Sequence, residues 1–146
     1  MNIGEVCSRE VYILRKNEPL SQALQEMRQR HVGTVVVVEP QGDLMKPIGI
    51  LTDRDLIFAA RGEGIDLTMG VSHLMTSCPF TLTEDSGLFE AIKSMSAHEV
   101  RRAPVVSAVG DLVGVVSVDD LVPVVAEELS ALARLMGSQA KREPNA

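Results

Sequence analysis

The feature that most constrains the fold of this chain is an internal repeat. When the 146-residue sequence is aligned with itself at an offset of 68, a set of apolar residues matches without a gap. The matched pairs are Leu14 with Leu82, Leu20 with Leu88, Ala23 with Ala91, Met27 with Met95, Val32 with Val100, Val37 with Val105 and Val38 with Val106. Self-similarity at a fixed period indicates a duplicated structural unit. The chain therefore consists of two copies of one unit.

The alignment continues through a Gly-Asp-Leu turn in each copy, at residues 42–44 and 110–112. The first copy then carries three extra residues, Met45-Lys46-Pro47, after which the offset is 65. Because insertions are tolerated best in surface loops, we expect these residues to form a loop. The predicted division is residues 1–66 for the first repeat, 67–125 for the second, and 126–146 for a C-terminal helix extension with a frayed tail.

Hydrophobic periodicity predicts the same order of elements in each copy: strand, helix, strand, strand, helix. In the first copy these elements cover residues 11–14, 20–31, 34–38, 47–51 and 53–60. The second copy has a strand near Phe80, a helix over 88–98, strands over 103–106 and 112–116, and a helix from Val118. The fold class is therefore α/β (α+β). Because each unit is too small for a stable core of its own, we expect the two to pack sheet against sheet.

Composition narrows the class of function. The sequence has no apolar run of about 18 residues and no basic leader, which favours a cytoplasmic protein without a membrane partner. A net charge of −6, four aromatic residues and scattered basic residues argue against nucleic-acid binding. The two cysteines, Cys7 and Cys78, fit a reducing compartment. Nucleophile-elbow, phosphate-loop and zinc-ligand spacings are absent from the sequence, so we expect neither an enzyme nor a metal site.

Three segments resemble the cystathionine β-synthase (CBS) domain. They are GILTDRDL at residues 49–56, GVVSVDDL at residues 114–121 and VRRAPVV at residues 100–106. The resemblance covers about residues 3–125, and both copies carry the motif at the same place. A tandem pair of this kind is called a Bateman module, and this chain is similar to small stand-alone bacterial CBS-pair proteins of the hypoxic response protein-like group.

A ligand site can be argued from two short motifs. Thr52 and Ser117 end predicted strands, and Asp55 and Asp120 follow three residues later in the first turn of a helix. This spacing brings a hydroxyl, free backbone N–H groups and a carboxylate together, which suits the hydroxyls of a ribose and a nearby anion. The alternative is that these residues only cap their helices. The resemblance favours ribose contacts.

The resemblance also implies phosphate contacts at Arg101 and Arg102, because guanidinium groups bind phosphate in a bidentate manner, and a ligand contact at Pro104 in the strand that follows them. The alternative for the arginines is a solvated pair between a helix and a strand. The first copy has Gly33-Thr34 at the corresponding positions, so we expect the two clefts to be unequal.

For adenine, the resemblance implies contacts from Tyr12 and Ile13 in one cleft and from Pro79 and Phe80 in the other. Tyr12 is suited to stacking on a base, and the alternative for both aromatic residues is core packing, with Phe80 blocking its cleft. Arg54 either reaches a phosphate or pairs with Asp53 or Asp119.

The C-terminal segment predicts a long helix over residues 118–136, which Pro123 should kink or interrupt. Its apolar face consists of Leu121, Val124, Val125, Leu129, Leu132 and Leu135. A face of this length needs a partner, so we expect it to pack across the pair or against a second chain. The resemblance implies a homodimer.

The leading hypothesis is a regulatory module, without catalytic activity or a required cofactor. It would bind AMP, ADP, ATP or S-adenosylmethionine between its repeats and act on an unknown protein in trans. The first alternative is a structural or protein-interaction module whose clefts are vestigial. The second is a redox or metal sensor that uses Cys7 and Cys78.

Overall fold

The structure, a computed structural model, describes residues 1–62, 64–77 and 80–142, with side chains up to residue 138. The first part of the chain contains seven elements and a single 3-10 turn. They are α1 (Ile3–Val6), β1 (Ile13–Arg15), α2 (Leu20–Arg30), β2 (Thr34–Gln41), β3 (Leu44–Thr52), α3 (Asp53–Arg61), the 3-10 turn Val71–His73 and β4 (Thr76–Ser77). The order predicted for the first repeat is confirmed, and α1 and β4 are additions to it.

The second part repeats this order. Its elements are β5 (Leu82–Thr83), α4 (Leu88–Ala97), β6 (Arg102–Val106), β7 (Leu112–Ser117) and α5 (Val118–Arg142). The non-glycine residues with positive φ also repeat: His31 after α2 and Glu99 after α4 both have φ of 53°. The glycines of the two β-turns, Gly42 and Gly110, have φ of 60° and 92°, a region that favours glycine.

Each repeat builds one sheet. The first sheet has the order β1-β2-β3-β4 and the second β5-β6-β7, with the first pair of each sheet parallel and the remaining pairs antiparallel. Both hairpins carry a bulge at the same place, where register shifts between Val37 and Val38 and between Val105 and Val106. Strands β3 and β7 contact one another across the two sheets. The predicted α/β fold of two related units is confirmed.

The first segment of each repeat, before its first predicted strand, packs on the other repeat. Ile3 is fully buried among second-repeat residues, and Ser8 exchanges backbone hydrogen bonds with Val115 of β7 at 2.9 and 3.0 Å. In the first repeat the same two positions are taken by Val71, also fully buried, and by Thr76, which pairs with β3. The two sheets are thus linked by exchanged segments as well as by the contact between β3 and β7.

Two apolar cores result, one per repeat. The first core contains Leu14, Leu20, Ala23, Met27, Val35, Val37, Leu51, Leu56 and Val71. The second contains Ile3, Leu82, Leu88, Ala91, Met95, Ala103, Val105, Val116 and Leu121. Nearly all residues that matched in the self-alignment are core residues, because burial selects the same apolar shape at equivalent positions.

The prediction that Met45-Lys46-Pro47 forms a loop is wrong. Strand β3 begins at Leu44, and the three residues lengthen the hairpin by pairing with β2: Met45 with Pro40, Lys46 with Glu39 and Pro47 with Val38. Pro47 is tolerated because it lies at the bulge, where the ladder of hydrogen bonds is already interrupted.

Helix α5 differs from the prediction in three ways. It continues through Pro123 without interruption, and it extends to Arg142, beyond the predicted end at residue 136. Of the two predicted packing partners, the pair itself is not used by residues 126–138, which are all exposed. None of the described helices is both long and apolar enough to cross a membrane.

Candidate ligand-binding site

The two Thr/Ser-x-x-Asp motifs form matching helix caps. Thr52 ends β3 and caps α3: its Oγ1 accepts a hydrogen bond from the Asp55 N–H at 3.2 Å, and the Asp55 Oδ2 accepts one from the Thr52 N–H at 2.8 Å. Such a reciprocal pair satisfies two backbone donors that the first turn of a helix leaves free. Thr52 and Asp55 therefore do cap their helix, as the alternative interpretation of the motif predicts.

The second motif repeats this geometry at the start of α5. The Asp120 Oδ2 accepts hydrogen bonds from the Ser117 N–H at 2.9 Å and from the Ser117 Oγ at 3.1 Å, and the Asp120 N–H donates to the Ser117 Oγ at 3.3 Å. The other carboxylate oxygen, Oδ1, accepts no hydrogen bond from the described part of the chain. Capping therefore leaves one oxygen of Asp120 available for a ligand.

Ser117 and Asp120 open into a cavity of about 380 Å³ between the two repeats, called here the Tyr12 cleft. Its lining comes from the segment before β1, from the start of β2 and from β6, β7 and α5. The lining residues are Ser8, Glu10, Val11, Tyr12, Val32, Gly33, Thr34, Val36, Arg102, Val115, Ser117 and Asp120. Five of the residues predicted from the sequence, namely Tyr12, Gly33, Arg102, Ser117 and Asp120, thus meet at one cavity.

A second cavity of about 270 Å³ occupies the related position and is called here the Phe80 cleft. Its lining residues are Ile50, Thr76, Ser77, Phe80, His98, Val100 and Arg102. Thr52 and Asp55 are not among them. The sequence motif is duplicated, but only its second copy contributes its hydroxyl and carboxylate to one of these two clefts.

The aromatic ring at the wall of each cleft contacts one other side chain, and the two contacting residues occupy equivalent positions in the two repeats. The Arg30 guanidinium lies 4.8 Å from the centre of the Tyr12 ring. At the positions 68 residues later, His98 is stacked on Phe80 with ring centres 4.4 Å apart. Arg30 is itself held by Glu26 at 2.8 Å, and this hydrogen bond raises the pKa of Arg30. These contacts fix the orientation of Tyr12 and Phe80 at the cleft walls.

Of the two predicted arginines, Arg102 lines both clefts and Arg101 lines neither. Arg102 begins β6 and makes no ion pair with the described residues. The carbonyl of Arg101 accepts the Val118 N–H at 2.9 Å, as the carbonyl of Gly33 accepts the Asp53 N–H at 3.0 Å. Thr34, which corresponds to Arg102, lines only the Tyr12 cleft.

Three further predicted residues, Ile13, Arg54 and Pro104, line neither cleft. Ile13 is 40% exposed on β1, and Pro104 is buried in β6. The Arg54 guanidinium lies 5.7 Å from the ring of Phe58 on the surface of α3, and no ion pair of Arg54 with Asp53 or Asp119 is formed within the described part of the chain. Pro79 and Cys78 lie outside the described residues.

Sequence reasoning missed several lining residues of the Tyr12 cleft, above all Ser8, Glu10 and Thr34. Thr34 could have been found as the counterpart of Arg102. Ser8 and Glu10 carry no motif of their own, and they reach the cleft only because the first segment crosses to the second repeat. With Glu10 and Asp120 as carboxylates and Arg102 as a guanidinium, the cleft carries groups of both signs.

Cys7 is free and half-buried, next to Gly4, whose carbonyl lies 3.8 Å from the thiol sulfur. Burial raises the pKa of the Cys7 thiol, so the reactive thiolate is disfavoured there. In the described residues, no three His, Cys, Asp or Glu side chains are grouped as metal ligands.

The sequence matches the family model of the CBS domain twice, at residues 3–62 and 71–127. Among related proteins, the CBS domain-containing protein YhcV of Bacillus subtilis is 32% identical over 120 residues, which are 82% of this chain and 82% of that protein. Hypoxic response protein 1 of Mycobacterium tuberculosis is 31% identical over 122 residues, 83% of this chain and 78% of that protein.

Solved CBS-pair structures share the fold. A CBS domain protein from Pyrobaculum aerophilum complexed with AMP has a TM-score of 0.74 and 24% identity, covering 90% of this chain and 99% of that one. A CBS domain pair in complex with 5-methylthioadenosine and S-adenosyl-L-methionine has a TM-score of 0.68 and 20% identity, covering 95% and 98%. With two matching repeats, the chain belongs to the CBS domain family as a tandem CBS pair.

Proposed function

We propose that this CBS pair is a non-catalytic cytoplasmic sensor that binds an adenosine-containing ligand in the Tyr12 cleft and acts on a partner protein in trans. One observation carries the proposal: an aromatic side chain from the first repeat meets a carboxylate and a guanidinium from the second at one cavity. These are the three groups that recognise a base, a ribose and a phosphate.

Tyr12 is the residue for the base. Its ring is held by Arg30 at 4.8 Å, so little side-chain freedom is lost when a base stacks on it. The apolar lining from Val11, Val32 and Val36 fits the rest of an adenine face. A flat aromatic ligand is therefore favoured at this end of the cleft.

Asp120 is the residue for the ribose. Its Oδ2 is occupied by Ser117, so Oδ1 is the atom that accepts hydrogen bonds from ribose hydroxyls. The helix cap fixes the carboxylate before the ligand arrives, which limits the ordering cost of binding. The dipole of α5, whose N-terminal end faces the cleft, adds a weak attraction for anionic groups.

Arg102 is the residue for a phosphate, because it brings a guanidinium without an ion-pair partner among the described residues. Glu10 lies in the same lining and favours a tail with positive charge, such as the amino acid part of S-adenosylmethionine. The ligand class is thus adenosine with a charged tail. The complexes of related CBS pairs with AMP and with S-adenosyl-L-methionine support this class.

The Phe80 cleft is proposed to stay empty of nucleotide. Phe80 and His98 stack on each other at its wall, the cavity is smaller, and Asp55 does not line it. Arg102 lines both clefts, so a phosphate bound in the Tyr12 cleft would also occupy the arginine that the Phe80 cleft needs. One ligand per chain follows.

Calorimetric titration of the purified chain with AMP, ATP, adenosine and S-adenosylmethionine tests the proposal. We expect at least one of them to bind with a stoichiometry of one, and GMP, the control, to bind at least tenfold more weakly. Absence of binding by all four would overturn the proposal and favour the alternative, a protein-interaction module with vestigial clefts. The homodimer implied by the family would present two such clefts to the regulated partner.

A further inference from the structure

The three residues inserted in the first repeat help to build a cavity that has no part in the Tyr12 cleft. Met45 and Lys46 pair with β2, and the Met45 N–H donates a hydrogen bond to the Asp111 Oδ1 at 2.9 Å. This bond ties the end of the β2–β3 hairpin to the turn between β6 and β7. Next to it lies a cavity of about 550 Å³, called here the hairpin cavity. It is lined by residues 46–48, by Ser77 and Thr81, and by Val106 and Gly110.

The hairpin cavity lies toward the opposite end of the strands from the Tyr12 cleft. Lys46 is near the start of β3, which Thr52 ends, and Val106 ends β6, which Arg102 begins. The hairpin cavity and the Tyr12 cleft share no lining residue among those described. The hairpin cavity adjoins the Phe80 cleft through Ser77. A ligand in the hairpin cavity would therefore not compete with one in the Tyr12 cleft.

The internal repeat shows how the sequence makes room on this side. At the offset of 68, Ser77 corresponds to Arg9, whose guanidinium is paired with Glu84 at 3.1 Å. Thr81 corresponds in the same way to Ile13. Two short hydroxyl side chains thus stand where the other half of the chain has a long paired cation and an apolar side chain. Space and hydrogen-bonding groups both arise where the two copies differ.

Lys46 gives the hairpin cavity a positive charge without a counter-charge. Glu39 is opposite Lys46 in the β2–β3 ladder, but its carboxylate is paired with Lys16 at 3.0 Å. The Asp111 carboxylate, at the nearby turn, accepts the Met45 N–H. Lys46 forms no ion pair with the described residues, and none of the described lining residues is acidic. The hairpin cavity is therefore suited to an anion.

We propose that the hairpin cavity binds a small organic anion with an apolar body, of the class of branched-chain carboxylates. The Lys46 ammonium attracts the carboxylate, and the hydroxyls of Ser77 and Thr81 donate hydrogen bonds to it. Ile48 and Val106 cover the apolar body of the ligand. The described lining has no aromatic ring on which a base could stack, so the ligand differs in class from the nucleotide of the Tyr12 cleft.

Titration of the isotope-labelled full chain with isovalerate at constant ionic strength, followed by amide shifts in NMR spectra, tests the proposal. We expect saturable shifts with millimolar affinity around the hairpin cavity, and no shift at Ser117 in the Tyr12 cleft. The reporting amides are those of Lys46, Ile48, Thr81 and Gly110.

Two control compounds separate the features of the ligand. Isovaleramide, the neutral counterpart, and inorganic phosphate, which has no apolar body, should each bind about tenfold more weakly than isovalerate. Absence of saturable shifts with isovalerate overturns the proposal. Equally strong binding of either control compound overturns it as well, because the charge or the apolar body would then contribute nothing.

Two variants and a matched control locate the binding. K46Q removes the charge, and T81I replaces the hydroxyl with the side chain of the equivalent Ile13, so each should weaken isovalerate binding about tenfold. K93Q makes the same change of charge as K46Q on the exposed surface of α4 and should bind as wild type does. All three should melt cooperatively by circular dichroism, because none of the replaced side chains is buried. Wild-type affinity in K46Q, or an equal loss in K93Q, contradicts the proposal.

Discussion

At the scale of single residues, Asp55 and Asp120 provide a matched comparison. Both cap a helix through Oδ2, but only Asp120 lines a cleft. We expect D120A and D55A to lose a similar amount of stability, about 1 kcal/mol, from the lost cap. Only D120A should lose ligand affinity, by roughly 10- to 100-fold, because hydrogen bonds to a charged acceptor contribute about 1.5–3 kcal/mol. Urea denaturation and calorimetry measure the two effects, and an equal affinity loss in D55A would exclude this assignment.

A second comparison, between Arg102 and Arg101, tests whether Arg102 contacts the phosphate of the ligand. R102Q should weaken AMP binding about tenfold and leave adenosine binding unchanged, because only AMP carries the group that the guanidinium contacts. R101Q is the control, since Arg101 lines neither cleft. If R102Q weakened AMP and adenosine equally, Arg102 would be shaping the cleft rather than binding phosphate.

The sequence alone led to much of the Tyr12 cleft, because the duplicated motif identified Ser117 and Asp120, and the resemblance pointed to Tyr12, Gly33 and Arg102. It gave no means of telling that Thr52 and Asp55 would lie outside the Phe80 cleft. At the wall of that cleft Phe80 is stacked on His98, a contact between two side chains that no spacing rule predicts.

At the scale of elements, the glycines of the repeated motif allow exchanged segments to approach β3 and β7. A Cβ added at Gly114 would lie 2.8 Å from the Cys7 Sγ and 2.8 Å from the carbonyl oxygen of Ser8. At Gly49 a Cβ would lie closest to the Met75 side chain, which is flexible, and 3.0 Å from the carbonyl oxygen of Thr76.

We therefore expect G114A to destabilise the chain by about 1–3 kcal/mol, the usual cost of forcing extra atoms into a packed site. G49A should cost less, because Met75 can move and the Thr76 carbonyl lies 3.0 Å from the added Cβ, whereas the carbonyl of Ser8, whose backbone is held by Val115, lies 2.8 Å from the Cβ added at Gly114. Chemical denaturation of both variants measures the difference. Equal losses of stability in the two variants would mean that the backbone of the first segment moves as easily as the Met75 side chain.

Among the elements, α1 and β4 were missed because they are too short to show a period. The four-residue α1 contributes a single fully buried residue, Ile3, and the two residues of β4 are exposed. A signal existed in the self-alignment, where Ile3 corresponds to Val71 and Ser8 to Thr76, but these pairs are similar rather than identical. Strand β3 was predicted to begin at Pro47 rather than at Leu44 because the three-residue insertion was interpreted as a loop.

At the scale of the whole molecule, the exchanged segments make the two repeats interdependent. Ile3 lies at the start of the first repeat but is fully buried in the core of the second, so truncating it damages a core far away in sequence. I3A should lower the free energy of unfolding by about 2–5 kcal/mol. M1A, at a position 63% exposed, is the control and should have little effect.

Because each repeat contributes a segment to the other, we expect I3A to lower the stability of both repeats equally. Tyr12, the single tyrosine of the chain, reports on the first repeat by fluorescence, and circular dichroism reports on the whole fold. Both probes should shift to the same lower urea midpoint. Separate transitions for the two probes would show that the repeats unfold independently.

The most direct test of the proposed function also uses Tyr12, because this residue lines the proposed adenosine site. Titration of the chain with AMP, followed by Tyr12 fluorescence with correction for absorbance by the nucleotide, should give a saturable change. The change should be shifted to at least tenfold higher AMP in D120A and unaltered in D55A. Binding of AMP detected by calorimetry without any change in Tyr12 fluorescence would contradict the account, because the ligand would then lie elsewhere.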